Sequence, residues 1–146
     1  MSAYSTNRKA HFSYEILDRY ETGIELLGYE VKSIRLGKAN LDASHVIIRG
    51  DEVFVVGLRI EPYQQVQEAL DPIRTRKLLL KKKEIAEIAR GHEKERLTII
   101  PLSLYNKGRK IKLEIALAKG KKSHDKRETL KKRAVDRDLR REYKVR

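Results

Sequence analysis

Apolar and polar residues change places at every second position over several stretches of this chain. Phe12, Tyr14 and Ile16 share one face with Ser13, Glu15 and Leu17 between them, and Ile24 and Leu26 resume the pattern after Tyr20-Glu21-Thr22-Gly23. A period of two on both sides of a glycine-containing segment predicts a hairpin, with Gly23 at the positive-φ position of its turn. From Glu30 to Leu36 the period lengthens. Val31 and Ile34 fall on one side, Lys32 and Arg35 on the other, and Gly37 stands where the cap would be, which predicts a short amphipathic helix with a basic outer face.

His45 to Arg59 holds two β-branched runs around Gly50-Asp51, a type II′ hairpin pattern. Glu61 to Leu70 has no clear period and reads as a loop. Asp71-Pro72 has the look of an N-cap followed by proline in the first helical turn, leading to Leu78-Leu79-Leu80; those three leucines fit a short buried strand equally well. Lys81 to Arg90 places Ile85, Ile88 and Ala89 at helical spacing, with Gly91 beyond as its stop. Leu97 to Tyr105 reads as a strand bulged at Ile100-Pro101, because proline cannot donate to a ladder. Asn106-Lys107-Gly108 closes a hairpin into Ile111, Leu113, Ile115 and Leu117, which alternate strictly with Lys112, Glu114 and Ala116. Six strands and two or three short helices predict a mainly β fold, an OB-like, partly closed barrel over residues 1–120, with residues 1–7 a loose leader.

After Gly120 the pattern fails. Between Lys121 and Arg146 the apolar residues are Leu130, Ala134, Val135, Leu139, Tyr143 and Val145, too few to offset the entropy of ordering the segment. Residues 121–146 therefore read as a basic tail, disordered alone. Val135, Leu139 and Tyr143 are spaced by four, so the tail can become helical on a partner.

Charge sharpens this division. The chain of 146 residues carries a net charge of +13; residues 119–146 contain 13 Lys/Arg against 5 Asp/Glu, or +8, leaving +5 for residues 1–118. Such an excess points to a polyanion, and nucleic acid is the commonest. The chain has no cysteine, which excludes disulfides, thiolate metal sites and a cysteine nucleophile. No run approaches the roughly 18 apolar residues of a membrane span, and the first ten residues lack the apolar core of a signal peptide. A cytoplasmic monomer without cofactor or metal is expected.

No catalytic frame surrounds His11, His45, His92 or His124, and no carboxylates are set apart for acid–base work. Arg74, Arg76, Lys77, Lys81, Lys82 and Lys83 form the densest charge before the tail, and Tyr14, Tyr20, Tyr29, Tyr63 and Tyr105 are candidate stacking platforms. His124 lies in a lysine-rich run where an imidazole can stack on a base or, when protonated, meet a phosphate. These residues alone leave open a general single-strand RNA-binding or ribosomal OB protein and, more distantly, a metal-dependent nuclease.

Five segments taken together resolve the choice: N-R-K-A-H at Asn7–His11, E-T-G-I at Glu21–Ile24, E-V-K-S-I-R-L-G at Glu30–Gly37, D-P-I-R-T-R-K-L-L-L at Asp71–Leu80 and A-K-G-K-K-S-H-D-K-R at Ala118–Arg127. In this order they resemble the SsrA-binding (small protein B) family of bacterial trans-translation. The resemblance implies a non-enzymatic factor that binds the tRNA-like domain of transfer-messenger RNA and brings it to stalled 70S ribosomes, with elongation factor Tu and alanyl-tRNA synthetase as indirect partners. It further implies RNA-binding roles for Glu21, Leu79 and Lys110. With the basic faces added, the candidate RNA-binding set is Glu21, Glu30, Lys32, Arg35, Arg74, Arg76, Lys77, Leu79 and Lys110. For Lys121, Lys122, His124, Asp125, Lys126 and Arg127 the resemblance implies contact with small-subunit rRNA in the decoding centre, the tail filling the empty mRNA channel.

Overall fold

The structure, a computed structural model, describes residues 3–62 and 71–121. Among these residues nine strands and three helices follow in the order β1 (Ala3–Thr6), α1 (Ala10–Ser13), β2 (Tyr14–Ile24), α2 (Gly28–Arg35), β3 (Ala39–Asn40), β4 (His45–Arg49), β5 (Glu52–Val56), β6 (Arg59–Ile60), β7 (Arg76–Leu79), α3 (Lys82–Lys94), β8 (Thr98–Lys107) and β9 (Lys110–Gly120). Seven strands form one antiparallel sheet in the order β1-β8-β9-β2-β7-β5-β4, and β3 pairs with β6 separately. The fold is mainly β and OB-like. The sheet curls until β4 lies against β8, with no ladder joining them.

The long hairpin β8–β9 turns through Gly108-Arg109, since Lys107 pairs with Lys110. Inside the curl, Ile111, Leu113, Ile115 and Leu117 meet Val53 and Val55 of β5, Leu78 of β7 and Leu104 of β8. Ile34 of α2 and Ile88 of α3, each with no exposed surface, plug the same core.

A smaller apolar cluster lies on the opposite face. Ala10 of α1 covers Ile100, Leu102, Ala116 and Ala118, with Tyr14 and Ile16 beside them. Two bulges make this two-faced arrangement consistent with one register. On β2 the pairing shifts between Ile16 and Asp18, and on β8 between Pro101 and Ser103. Each inserts one residue, so side chains of the same parity face α1 before the bulge and the main core after it. The bulge at Pro101 matches the sequence expectation, displaced by one or two residues.

Other expectations change. Phe12 belongs to α1, not to a strand, and no hairpin turns at Gly23: β2 runs unbroken past it, paired with β9 from Tyr14 to Gly23. Gly23 has no positive φ. Asp71-Pro72 opens a turn rather than a helix, in which Asp71 Oδ1 accepts from the Ile73 amide at 3.0 Å. The leucines that follow enter β7, whose edges are satisfied by Ile24 of β2 and Val53 of β5 opposite Leu78. Gly91 does not stop α3, which continues to Lys94; it lies buried against Leu117, where an added Cβ would sit 2.7 Å from Cδ1. The leader is strand β1 over Ala3–Thr6, on the open edge of β8, with Tyr4 packed on the core. Two expectations hold closely. The β4–β5 hairpin turns at Gly50 with φ 64°, and α2 ends at Gly37, where the Gly37 and Lys38 amides donate back to Ile34 and Ser33.

Candidate nucleic-acid interface

Strand alternation decides which side chains leave the core. Beyond its bulge, β2 sends Thr22 and Ile24 inward and Arg19, Glu21 and Gly23 outward. On β9 the inward isoleucines and leucines alternate with Lys110, Lys112 and Glu114, and on β7 Lys77 and Leu79 face out while Arg76 and Leu78 face in. Glu21, Lys77, Leu79 and Lys110 thus share the outer surface, on the part of the sheet that α1 leaves uncovered.

Glu21 sits in the middle of a strand, opposite Glu114. Its carboxylate accepts from the Tyr105 hydroxyl at 2.5 Å and from Lys107 Nζ at 2.9 Å. The Tyr105 hydrogen bond first, then the Lys107 bond and charge, hold the Glu21 carboxyl below its ordinary range, and the Tyr105 phenol is pushed up by burial and by Glu21. Arg19 answers Glu114 at 3.4 Å, and Lys77 answers Glu52 at 3.1 Å.

Glu30 and Arg76 behave differently from the other candidates, because both are buried, with 1% exposure each. Glu30 Oε1 accepts from the Leu27 amide at 2.9 Å and from Arg74 Nη2 at 2.5 Å; Oε2 accepts from Arg76 Nε at 2.8 Å and Arg74 Nε at 3.2 Å. Arg76 also donates to the carbonyls of Leu58 at 2.6 Å, Pro72 at 3.1 Å and Arg74 at 3.2 Å. Burial pushes the Glu30 carboxyl up, but Arg74, the Leu27 amide and Arg76 outweigh it and leave it below its ordinary value. This cluster clamps α2 to the turn before β7; Glu30 is therefore more than an acid at a helix N-terminus. Arg74 keeps part of its side chain in solvent.

Lys32 and Arg35 lie on the exposed face of α2, as their spacing predicts, and Arg35 Nη2 donates to the Arg109 carbonyl at 3.0 Å. That bond brings α2 to the β8–β9 turn. Between them opens a groove of about 380 Å³, bordered by Leu79, Gly23 and Lys110 as well. Lys107, Arg109 and Lys112 share this surface although the sequence did not single them out, and Tyr105, a candidate stacking platform, joins them through Glu21. Lys112 was legible from the alternation that exposes Lys110; the Tyr105–Glu21 contact, 84 residues apart, had no local signal.

Of the other tyrosines, Tyr20 packs on the main core and donates to Glu87 at 3.3 Å, with its phenol pushed up to about 12 by burial and Glu87. Tyr14 packs under α1. Lys121 donates from its amide to the Ser13 carbonyl at 2.9 Å and from Nζ to the His11 carbonyl at 2.5 Å, so it ties the end of β9 to α1. Lys122, His124, Asp125, Lys126 and Arg127, with Tyr63, lie outside the described residues. No helix among the described residues is long and apolar enough to cross a membrane.

The SmpB protein family model matches residues 4–145 of the chain. The SsrA-binding protein of Mesoplasma florum is 51% identical over 140 residues, 94% of each chain. That of Malacoplasma penetrans is 46% identical over 146 residues, covering 99% of this chain and 100% of its own. A chain of the solved structure "tmRNA-SmpB: a journey to the center of the bacterial ribosome" has a TM-score of 0.68 at 40% identity, over 86% of this chain and 92% of that one.

Proposed function

The chain belongs to the SmpB protein family, and from that premise we propose how it acts: it binds transfer-messenger RNA and serves trans-translation on stalled ribosomes. The family match along nearly the whole chain carries this reading, and the chemistry of the outer surface supports it. The protein is an RNA-binding factor, not an enzyme; peptidyl transfer stays with the ribosome.

Barrel and tail divide the work. The outer face around Glu21, Lys77, Leu79 and Lys110 receives the tRNA-like domain, whose phosphates shed their condensed counterions into solvent as lysines and arginines replace them. Lys32, Arg35 and Arg74 extend that surface, while Glu30 and Arg76 hold the clamp that sets it. Double-stranded RNA displays shape and phosphates more than base edges, so a shaped basic face is the suitable reader. The tail, with Lys121, Lys122, His124, Asp125, Lys126 and Arg127, enters the decoding centre against small-subunit rRNA. Elongation factor Tu and alanyl-tRNA synthetase meet the protein through the shared RNA, and the site of action is the cytoplasm.

Competition binding tests the reading, with transfer-messenger RNA set against total tRNA and a mixed-sequence RNA at physiological salt. Strong preference for transfer-messenger RNA is expected. Equal affinity for all three would leave a general basic RNA binder.

A further inference from the structure

The segment N-R-K-A-H at Asn7–His11 supplies none of the RNA-binding residues named above, yet it folds against the point where the tail begins. Helix α1, which it opens, has a single turn, too short to be stable alone, and its N-cap Lys9 makes no side-chain cap bond. Contacts at its two ends therefore hold it. In front, Asn7 donates from its amide to the Leu102 carbonyl at 2.8 Å and from Nδ2 to the Pro101 carbonyl at 2.9 Å, satisfying two acceptors at the β8 bulge. Ala10, 1% exposed, is small enough to let the turn lie close on Ile100 and Ala116. Behind, the last carbonyls of a helix have no partner within it. Lys121 meets two of them, from Nζ to His11 and from its amide to Ser13, so a cation far along the chain caps α1. Beside the helix, Lys9, Ala10 and Ser13 border an open groove of about 400 Å³ that separates it from Asp42, Ser44 and His45, so packing does not hold it on that side.

Lys121 is thus fixed by α1, and α1 by Asn7. Gly120, just before, pairs with Tyr14 at the end of the ladder, and an added Cβ there would meet nothing within 4 Å. Glycine has the widest backbone freedom, so the chain would pivot at this point if Lys121 were not held. With Lys121 held, His124 begins within about 10 Å of chain from α1. As a helix on its partner, the tail over residues 122–146 reaches roughly 37 Å, and a swing of about 20° at its base displaces the far end by about 13 Å. The direction of the chain at Lys121 therefore governs where the tail arrives.

We propose that Asn7, α1 and Lys121 form a strap that aims the tail, with Asn7 and Lys121 as positioning residues for entry into the decoding centre. The strap's role rests on that proposed above for the tail. Recognition of transfer-messenger RNA does not depend on it, because Glu21, Leu79 and Lys110 lie on the part of the sheet that α1 leaves uncovered.

The chain has no cysteine, so Ser13→Cys with Lys121→Cys gives one protein whose strap is closed or opened by redox state alone. The two positions lie one step beyond the Tyr14–Gly120 pair and share the Lys121–Ser13 bond; strand partners so bonded have Cα atoms about 5.5 Å apart, within a disulfide's reach. Full-length protein is assayed with transfer-messenger RNA on ribosomes stalled on an mRNA without a stop codon, in a thiol-free mixture and at a temperature where both forms are folded. The oxidised form should tag like wild type and the reduced form about tenfold more slowly, because an unaimed tail is less concentrated at its target. Their affinities for transfer-messenger RNA should agree within about twofold, as expected of separate sites. Asn7→Ala should slow tagging about tenfold, and the oxidised cysteine pair should restore it. Equal tagging by the oxidised and reduced forms, whether fast or slow, or faster tagging by the reduced form, would overturn the proposal. A chain ending at Lys121 separates the two failures. If it tags like the full protein, the tail's role falls and the strap's with it; if it is inactive while the two redox forms tag equally, only the strap falls.

Discussion

Two carboxylates show how the same side chain takes opposite tasks in different surroundings. Glu30 is buried with Arg74 and Arg76, and its removal would leave the Arg76 guanidinium, wholly inside, with only carbonyl partners. Breaking a buried pair at one partner costs about 3–5 kcal/mol. Glu30→Gln should lower stability on that scale at pH 7, measured by denaturant unfolding. The carboxyl is held below its ordinary value of 4.5, so it binds protons less readily folded than unfolded. Its contribution is complete above that value and is lost as pH falls through the lower, folded value. Wild type should therefore lose stability below about pH 4.5, and Glu30→Gln should lack that part of the loss. Glu21 is exposed, and on a polyanion-binding face an acid should repel the ligand. Charge alone thus predicts that Glu21→Gln tightens RNA binding. Its two oxygens, however, hold the Tyr105 hydroxyl and Lys107 in place. Glu21→Gln should weaken binding several-fold despite removing a negative charge, and Tyr105→Phe should add little to it. Titrations of the single and double variants check both statements; tighter binding would leave Glu21 as a mere electrostatic penalty.

At the scale of elements, the turns hold the strands at distances that particular glycines permit. Gly57, between β5 and β6, has φ 79°, and a Cβ there would lie 2.8 Å from the Ala43 carbonyl oxygen. Gly37, at the end of α2, has φ 78° with nothing within 4 Å. Both substitutions to alanine meet the left-handed penalty of about 1–2 kcal/mol. Gly57→Ala alone must also move backbone, so it should destabilise by about 1–3 kcal/mol more than Gly37→Ala in parallel unfolding experiments. Equal losses would show that the loop at Ala43 yields freely. The same elements show what the sequence could reveal. The β4–β5 hairpin, the end of α2 and the alternation of β9 rest on local chemistry and were legible. β2 was not: its bulge at Leu17 changes the face of every later residue, and period-two counting reads the same parity on both sides as one face. Asp71-Pro72 carries residues that serve a turn and a helix start alike, and the open edges of β2 and β5 decided for a strand. The site followed the same division. Lys110 and Lys112 could be placed by alternation, whereas Glu30 meeting Arg76 across 46 residues is a consequence of tertiary packing.

For the molecule as a whole, charge is distributed unequally along the chain, and function should separate along that line. Residues 119–146 hold +8 of the net +13, yet the clamp, the groove and the Glu21 cluster all belong to the part before them. The structure also moves the natural cut. Lys121 is bound through its amide to Ser13 and through Nζ to His11, so it secures β9 to α1, and a truncation should retain it. A chain ending at Lys121 should melt like the full protein, because it keeps both bonds of Lys121 to α1. Its affinity for transfer-messenger RNA should fall only modestly at physiological salt and more at low salt, where the tail's charges act over longer range. Peptide tagging on stalled ribosomes should nevertheless disappear, since filling the decoding centre is assigned to the segment removed. Binding and tagging measured side by side on this one variant therefore discriminate. Loss of both would place RNA recognition in the tail, and retention of both would deny the tail its role. Retained binding with lost tagging is the result that the separation of barrel from tail requires.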